Sequence, residues 1–231
     1  AEELNALYRA DVSVVSQSGN FLEAMTQQDA TTHNRNELIE GLHREYLSFV
    51  TAPRAPQSGV SMDQVMTFLR QRLPADTIIT NGAGNYTTWP QRHYQFSIAK
   101  TQLASTNGSM GYGVPAAVSA QLTRPESVVV SFSGDGCFLM NGQELATAVQ
   151  YQLPILFLVI NNRSYGTIRS HQERHYPGRV VGTDLTNPDF AALGRAYGAI
   201  GFTVNQTEEF EPVFEQAIAS KRPTVIEIQT F

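Results

Sequence analysis

Residues 127–164 read SVVVSFSGDGCFLMNGQELATAVQYQLPILFLVINNRS. Ser127 to Ser133 has little polar interruption, the pattern of a strand covered on both faces of a parallel sheet. Gly134-Asp135-Gly136 follows as a tight turn. Asn141 is expected to cap a helix running to about Gln152, with Glu144 at the capping-box position. Ile155 to Ile160 reads as a second buried strand, and Asn161-Asn162 leaves its end. A right-handed crossover sets two such strands parallel in one sheet. Asp135 and Asn162 then both emerge at carboxyl ends of strands, the edge where open α/β sheets bind ligands.

The same alternation extends outward. Upstream, Ser61 is expected to cap a helix with Gln64 completing a capping box, and Pro74 to end it. Thr77 to Thr80 reads as a short strand, followed by a loop at Gly82, Gly84 and Asn85. Gly108, Gly111 and Gly113 form a second glycine-rich turn, and Pro115 to Leu122 reads as a helix starting at its proline. Downstream, Asn187-Pro188-Asp189 starts a helix that Gly198 stops. A strand near Ile200 to Val204, a helix from about Glu208 to Ser220 and a strand from Thr224 to Ile228 complete the chain. The fold class is therefore α/β, a mostly parallel sheet with helices on both faces. Residues 1–58 read as a separate, weakly patterned appendage with one helical stretch, Asn36 to Val50. That appendage includes a linker, Thr51 to Gly59, with Pro53 and Pro56. Residues 59–231 form the main domain.

Composition narrows the function classes. Hydrophobic residues make up 42% and charged residues 16% of the 231, enough apolar material for a sizeable core. A net charge of −5 argues against nucleic-acid binding, which needs a basic face. The single cysteine, Cys137, leaves no intrachain disulfide and points to a reducing, cytoplasmic setting. The longest apolar run, Pro154 to Ile160, is far short of the ~20 residues that span a bilayer.

The residue types around the turn suit a metal-bridged diphosphate. Asp135 offers a hard anionic oxygen and Asn162 a neutral amide oxygen. Magnesium takes one or two protein oxygens of this kind together with phosphate oxygens. Gly134 and Gly136 leave room for a phosphate against the backbone, and the helix beyond directs unpaired N–H groups at it. A dehydrogenase-type nucleotide site would need G-x-G-x-x-G after the strand, and GDGCFLMNG lacks that spacing. A non-catalytic α/β module is the third reading, and retention of both Asp135 and Asn162 argues against it.

GDGCFLMNGQELATAVQYQLPILFLVINN resembles the motif of thiamine diphosphate-dependent enzymes, which opens with GDG and closes with NN. The resemblance is to the acetohydroxyacid synthase and benzoylformate decarboxylase group. It continues through NGAGNYTTWPQ, NGSMGYGVPAA, NNRSYGTI and NPDFAALGRAYG, and so covers roughly residues 60 to 230. AEELNALYRADVSVV is similar to the end of that family's central domain.

This resemblance implies a thiamin diphosphate-binding fold and a site assignment. Asp135 and Asn162 match the side-chain ligands of Mg2+, and Ser164 matches the residue that ligates through its carbonyl. Gly134, Gly136 and Cys137 match the diphosphate turn, with the last two as backbone donors. Gly84 and Asn85 match a second diphosphate loop. The Gly108 carbonyl matches the acceptor for the cofactor's 4′-amino group. Met110 has two readings, core packing and a prop for the bent cofactor, and its flanking glycines favour the prop. Tyr165 and Gly166 fall among the cofactor-binding residues. Thr167, Ile168 and His171 stand where relatives place substrate-facing residues. His171, Glu173 and His175 form H-x-E-x-H rather than the zinc pattern H-E-x-x-H, so a mobile loop over the site is expected there. Cys137 is expected to be a small buried residue rather than a nucleophile, and Trp89 and the tyrosines to be packing.

The family's activity is decarboxylation or carboligation of 2-keto acids. Its activating glutamate lies on a separate pyrimidine-binding domain, and its active sites form between subunits. The resemblance thus implies a homo-oligomer, or a naturally split subunit paired with a pyrimidine-domain chain. The remnant at the start favours a fragment that is inactive alone. It leaves FAD in the longer protein open, and it does not choose a substrate.

Overall fold

The computed structural model describes residues 3–28, 35–51 and 59–230. The chain divides into two compact units, Ala1–Ser48 and Phe49–Phe231. The first holds helix α1 (Ser18–Thr26) and most of α2 (Asn36–Thr51), whose apolar residues, Leu38, Ile39 and Leu42 among them, are exposed. Most of the expected linker, residues 52–58, lies outside the described residues.

The second unit is built on six parallel strands in the order β2-β1-β3-β4-β6-β5. They are β1 (Ile78–Asn81), β2 (Gln102–Ala104), β3 (Val129–Gly134), β4 (Leu156–Asn161), β5 (Ile200–Val204) and β6 (Thr224–Gln229). Every residue of β3 and β4 is buried. Side chains alternate between faces along a strand, and the two cores divide accordingly. Leu156, Leu158 and Ile160 of β4 pack with Val65, Met66 and Leu69 of α3 (Met62–Arg72) and Phe210 and Phe214 of α9 (Phe210–Ser220). Phe157 and Val159 pack on the opposite face. There they meet Val114 and Ala117 of α4 (Gly113–Thr123), Phe138 of α5 (Asp135–Asn141), Leu145 of α6 (Leu145–Gln150) and Phe190 of α8 (Phe190–Ala196). The two-sided sheet is the fold expected from the apolar runs.

Several local expectations need correction. Ser61 occupies the N-cap of α3, but its side chain makes no capping bond. Instead its N–H donates to Thr207 Oγ1 at 2.8 Å, so contact with a distant loop replaces the capping box. Helix α4 starts at Gly113, ahead of Pro115. The largest difference follows the GDG turn. The helix there starts at Asp135 itself, not at Asn141. Asn141 ends it, with φ −138° and ψ 23° and with Nδ2 donating to the Gly111 carbonyl at 3.3 Å. Gly142 then turns the chain so closely that a Cβ there would stand 2.8 Å from the Phe138 ring. A 3-10 turn, Gly142–Glu144, leads into α6, and Glu144 accepts from the Thr147 hydroxyl rather than closing a box on Asn141. The segment expected to be a mobile loop beyond Asn162 is helix α7 (Gly166–His175). The Asp189 expectation holds: its carboxylate caps α8 by accepting from the Ala192 N–H at 2.7 Å.

Candidate diphosphate site

The loops leaving β1, β2, β3 and β4 enclose a cleft of about 240 Å³ at the carboxyl edge of the sheet. Chain order reverses between β1 and β3, and such a switch point is where open α/β sheets hold ligands. The β1 loop contributes Gly84, Asn85 and Tyr86, the segment after β2 contributes Gly108 and Met110, and the turn after β3 contributes Gly134 to Cys137. The segment after β4 contributes Asn162 and Ser164 to Ile168. Every sequence-expected site residue except His171 therefore lines one cleft. His171 is exposed on α7 and stacks on His175, with ring centroids 6.1 Å apart.

Asp135 is 3% exposed and makes no ion pair among the described residues. Its Oδ1 accepts the Gly136 N–H at 2.8 Å and its Oδ2 accepts Asn187 Nδ2 at 2.8 Å. Burial pushes its pKa above the ordinary carboxylate value. Hydrogen bonds from the Gly136 N–H, the Asn187 side chain and the Arg163 and Ser164 N–H groups oppose that shift. A buried carboxylate without a cation is costly unless something cationic completes it. Beside it, Asn162 is exposed, with Oδ1 accepting the Ser164 N–H at 3.1 Å. The Ser164 carbonyl accepts from Gly166 N at 2.8 Å and keeps a second lone pair. Ser164 Oγ is buried without a hydrogen-bond partner. No group of three His, Cys, Asp or Glu residues able to hold a metal occurs among the described residues. A hard cation completed by phosphate oxygens does not require one.

The opposite wall is shaped by small residues. A Cβ at Gly136 would stand 2.5 Å from the Tyr165 ring, and one at Gly134 would stand 2.8 Å from Tyr86. Gly84 has φ +143°, a conformation that favours glycine. The Tyr86 hydroxyl accepts the Gly82 N–H at 3.0 Å, and burial raises its pKa well beyond that of a free phenol. Tyr86 thus serves as the buried floor of the turn, more than packing. Cys137 is buried and donates through Sγ to the Ala83 carbonyl at 2.8 Å, which ties the β3 turn to the β1 loop. Thr167 links the other side, accepting the Asn85 N–H at 2.8 Å and donating to Asn85 Oδ1 at 2.9 Å. Met110 is half-buried, packs on the α3 side core and also faces the cleft, so both readings of it hold.

Sequence reasoning did not single out Asn187, Asn161 or Glu227. Backbone pairing brings Asn187 beneath Asp135. The Tyr165 N–H donates to the Thr183 carbonyl, the Leu185 N–H to the Arg163 carbonyl, and Ser164 bridges Asp184. The one readable signal is Glu227 itself, a charge inside the apolar run of a central strand, where charges are rare unless partnered.

Comparison with known proteins agrees with this geometry. Residues 82–228 match the model of the thiamine pyrophosphate enzyme C-terminal TPP binding domain. The large subunit of acetolactate synthase isozyme 2 of Escherichia coli (strain K12) is 30% identical over 228 residues, covering 98% of this chain and 41% of that one. The acetolactate synthase large subunit of Pyropia yezoensis is 35% identical over 178 residues, covering 75% of this chain and 30% of its own. The mitochondrial acetolactate synthase catalytic subunit of Saccharomyces cerevisiae (strain ATCC 204508 / S288c) is 29% identical over 236 residues, 99% of this chain and 34% of its own. The chain spans less than half the length of these relatives. Among the described residues no helix is long and apolar enough to cross a membrane. With a family model matched across the strands and loops that build the cleft, the chain belongs to the thiamine pyrophosphate enzymes, as their C-terminal cofactor-binding domain.

Proposed function

We propose that the cleft holds the diphosphate of thiamine diphosphate through Mg2+, and that the domain serves an acetolactate synthase-like reaction on 2-keto acids. The observation that carries the metal reading is the buried Asp135 carboxylate, without an ion pair among the described residues, at the carboxyl edge beside Asn162 and Ser164. In this reading Asp135 Oδ, Asn162 Oδ1 and the Ser164 carbonyl ligate the cation. The N–H groups of Gly136 and Cys137 turn to the phosphate oxygens, with Gly84, Asn85, Tyr165 and Gly166 around them. For the Gly136 N–H this exchanges its present bond to Asp135 for one to the ligand. Met110 supports the ring system and the Gly108 carbonyl accepts from its 4′-amino group. Thr167 holds the Asn85 loop in place, and Ile168 borders the substrate.

The bound cofactor supplies the carbon nucleophile and electron sink for loss of CO2 from a 2-keto acid. The chain's own part is to anchor the charged end, exclude water and fix the ring's height. The catalytic glutamate comes from a pyrimidine-binding domain, of the same or a partner chain. A homo-oligomer supplies that pairing, and the single buried Cys137 suits a cytoplasmic, reducing setting.

Turnover tests the reading. The purified chain with thiamine diphosphate, Mg2+ and pyruvate is expected to release no CO2. The same mixture with a separately produced pyrimidine-binding domain is expected to release CO2 and form acetolactate. Release by the chain alone, or none in the reconstituted mixture, contradicts it.

A further inference from the structure

The orientation of Asp135 is set from across the sheet. Glu227 of β6 is 3% exposed and forms no ion pair among the described residues. Its Oε1 accepts Asn161 Nδ2 at 2.7 Å and Gln229 Nε2 at 2.8 Å, and its Oε2 accepts the Phe190 N–H at 3.2 Å. Three donors converge on a group that only accepts when ionised. This fixes the Asn161 amide with nitrogen toward Glu227 and oxygen toward the cleft side. That oxygen accepts the Arg163 N–H at 3.1 Å and Asn187 Nδ2 at 2.9 Å. The same Asn187 nitrogen donates its other hydrogen to Asp135 Oδ2 at 2.8 Å.

Each link dictates the next. Flipping Asn161 would set its oxygen against a carboxylate and its nitrogen against two donors. Flipping Asn187 would set its oxygen against two acceptors. Asn187 Oδ1 is itself buried without a partner. Its orientation is therefore chosen by the two acceptors on its nitrogen, at the expense of its own carbonyl.

We propose that Glu227, Asn161 and Asn187 form a positioning relay that fixes the Asp135 carboxylate for a small cation and so selects Mg2+ over Ca2+. The proposal rests on the reading of Asp135 as a metal ligand. Mg2+ demands near-octahedral oxygen geometry, whereas Ca2+ accepts variable number and angle. A carboxylate pinned on one oxygen by a neutral amide has one direction left for a metal, which suits the stricter ion. Loss of the pin costs Mg2+ more than Ca2+. A relay that merely tied β4, β6 and the segment before α8 together would lower stability and weaken both cations alike.

The test is calorimetric titration of the 231-residue chain with thiamine diphosphate, in Mg2+ or in Ca2+, for the wild type, Glu227→Gln and Asn187→Ala. Outer partners of metal ligands carry about 10–100-fold in metal affinity. Both variants are expected to lose at least about tenfold in Mg2+-supported affinity and less than about threefold in Ca2+. Circular dichroism and thermal melts verify folding. If Glu227→Gln does not fold, Asn187→Ala, at the half-buried link, decides the matter. Equal losses in both cations, or no loss in either, overturn the relay and leave the metal reading standing. Binding by the wild type that ignores both cations overturns the metal reading and the relay with it.

Discussion

Asp135 carries opposing demands. Folding buries its carboxylate and raises its pKa, against the hydrogen bonds that favour the charged form. A carboxyl whose pKa rises on folding binds its proton more tightly in the folded state. Its contribution to stability is fully present below the unfolded value near pH 4, and is lost as pH rises through the folded value. Without metal or cofactor, the Tm of the wild type is therefore expected to fall relative to that of Asp135→Asn as pH rises from about 4 toward 7. Parallel thermal melts across that range measure it, and a Tm difference that does not move with pH contradicts it. Asp135 and Asn162 were legible in the sequence because GDG and NN sit at the ends of two apolar strands. Asn187 and Glu227 were not, because their partners lie 52 and 66 residues away, across the sheet. Asn187 reads locally as part of a helix start, and only a folded chain brings it under Asp135.

At the scale of elements, glycines decide how closely helices approach the sheet. Helix α8 lies hard on β5 at Gly201, where a Cβ would collide with the Ala191 carbonyl and stand 2.7 Å from its carbon. The obstacle is backbone, which cannot rotate aside. Gly201→Ala is expected to cost about 1–3 kcal/mol, the usual range for overpacking. Urea denaturation reads it, and a variant as stable as the wild type would show that α8 lifts freely. Strand identity and order along the chain were legible, since β3, β4 and β6 are apolar on both faces. Helix limits around the turn were less so. Asn141 with Glu144 carries the local chemistry of a helix start, but its amide is drawn to the Gly111 carbonyl and the helix begins six residues earlier, at Asp135. Tertiary contact overrode local propensity there, as it did at Ser61.

The whole molecule presents its cleft open at one edge of the sheet, bordered by exposed apolar side chains. Tyr112, Leu139, Met140 and Ile168 are 36%, 44%, 45% and 48% exposed. Such a rim suits burial against another protein surface, in keeping with the proposed pyrimidine-binding partner. The relatives are more than twice as long as the matched region, which accords with a site completed elsewhere. What this chain contributes is the charged half: a carboxylate held by a relay, an exposed amide, and a glycine turn against two tyrosines. The central claim is that Asp135 binds the diphosphate through Mg2+, and calorimetry tests it most directly. Thiamine diphosphate is titrated into the wild type and Asp135→Ala, each with Mg2+ and with chelator. The account predicts binding by the wild type in Mg2+ that is lost in chelator and in the variant. Equal binding by wild type and variant, or binding indifferent to Mg2+, would contradict it.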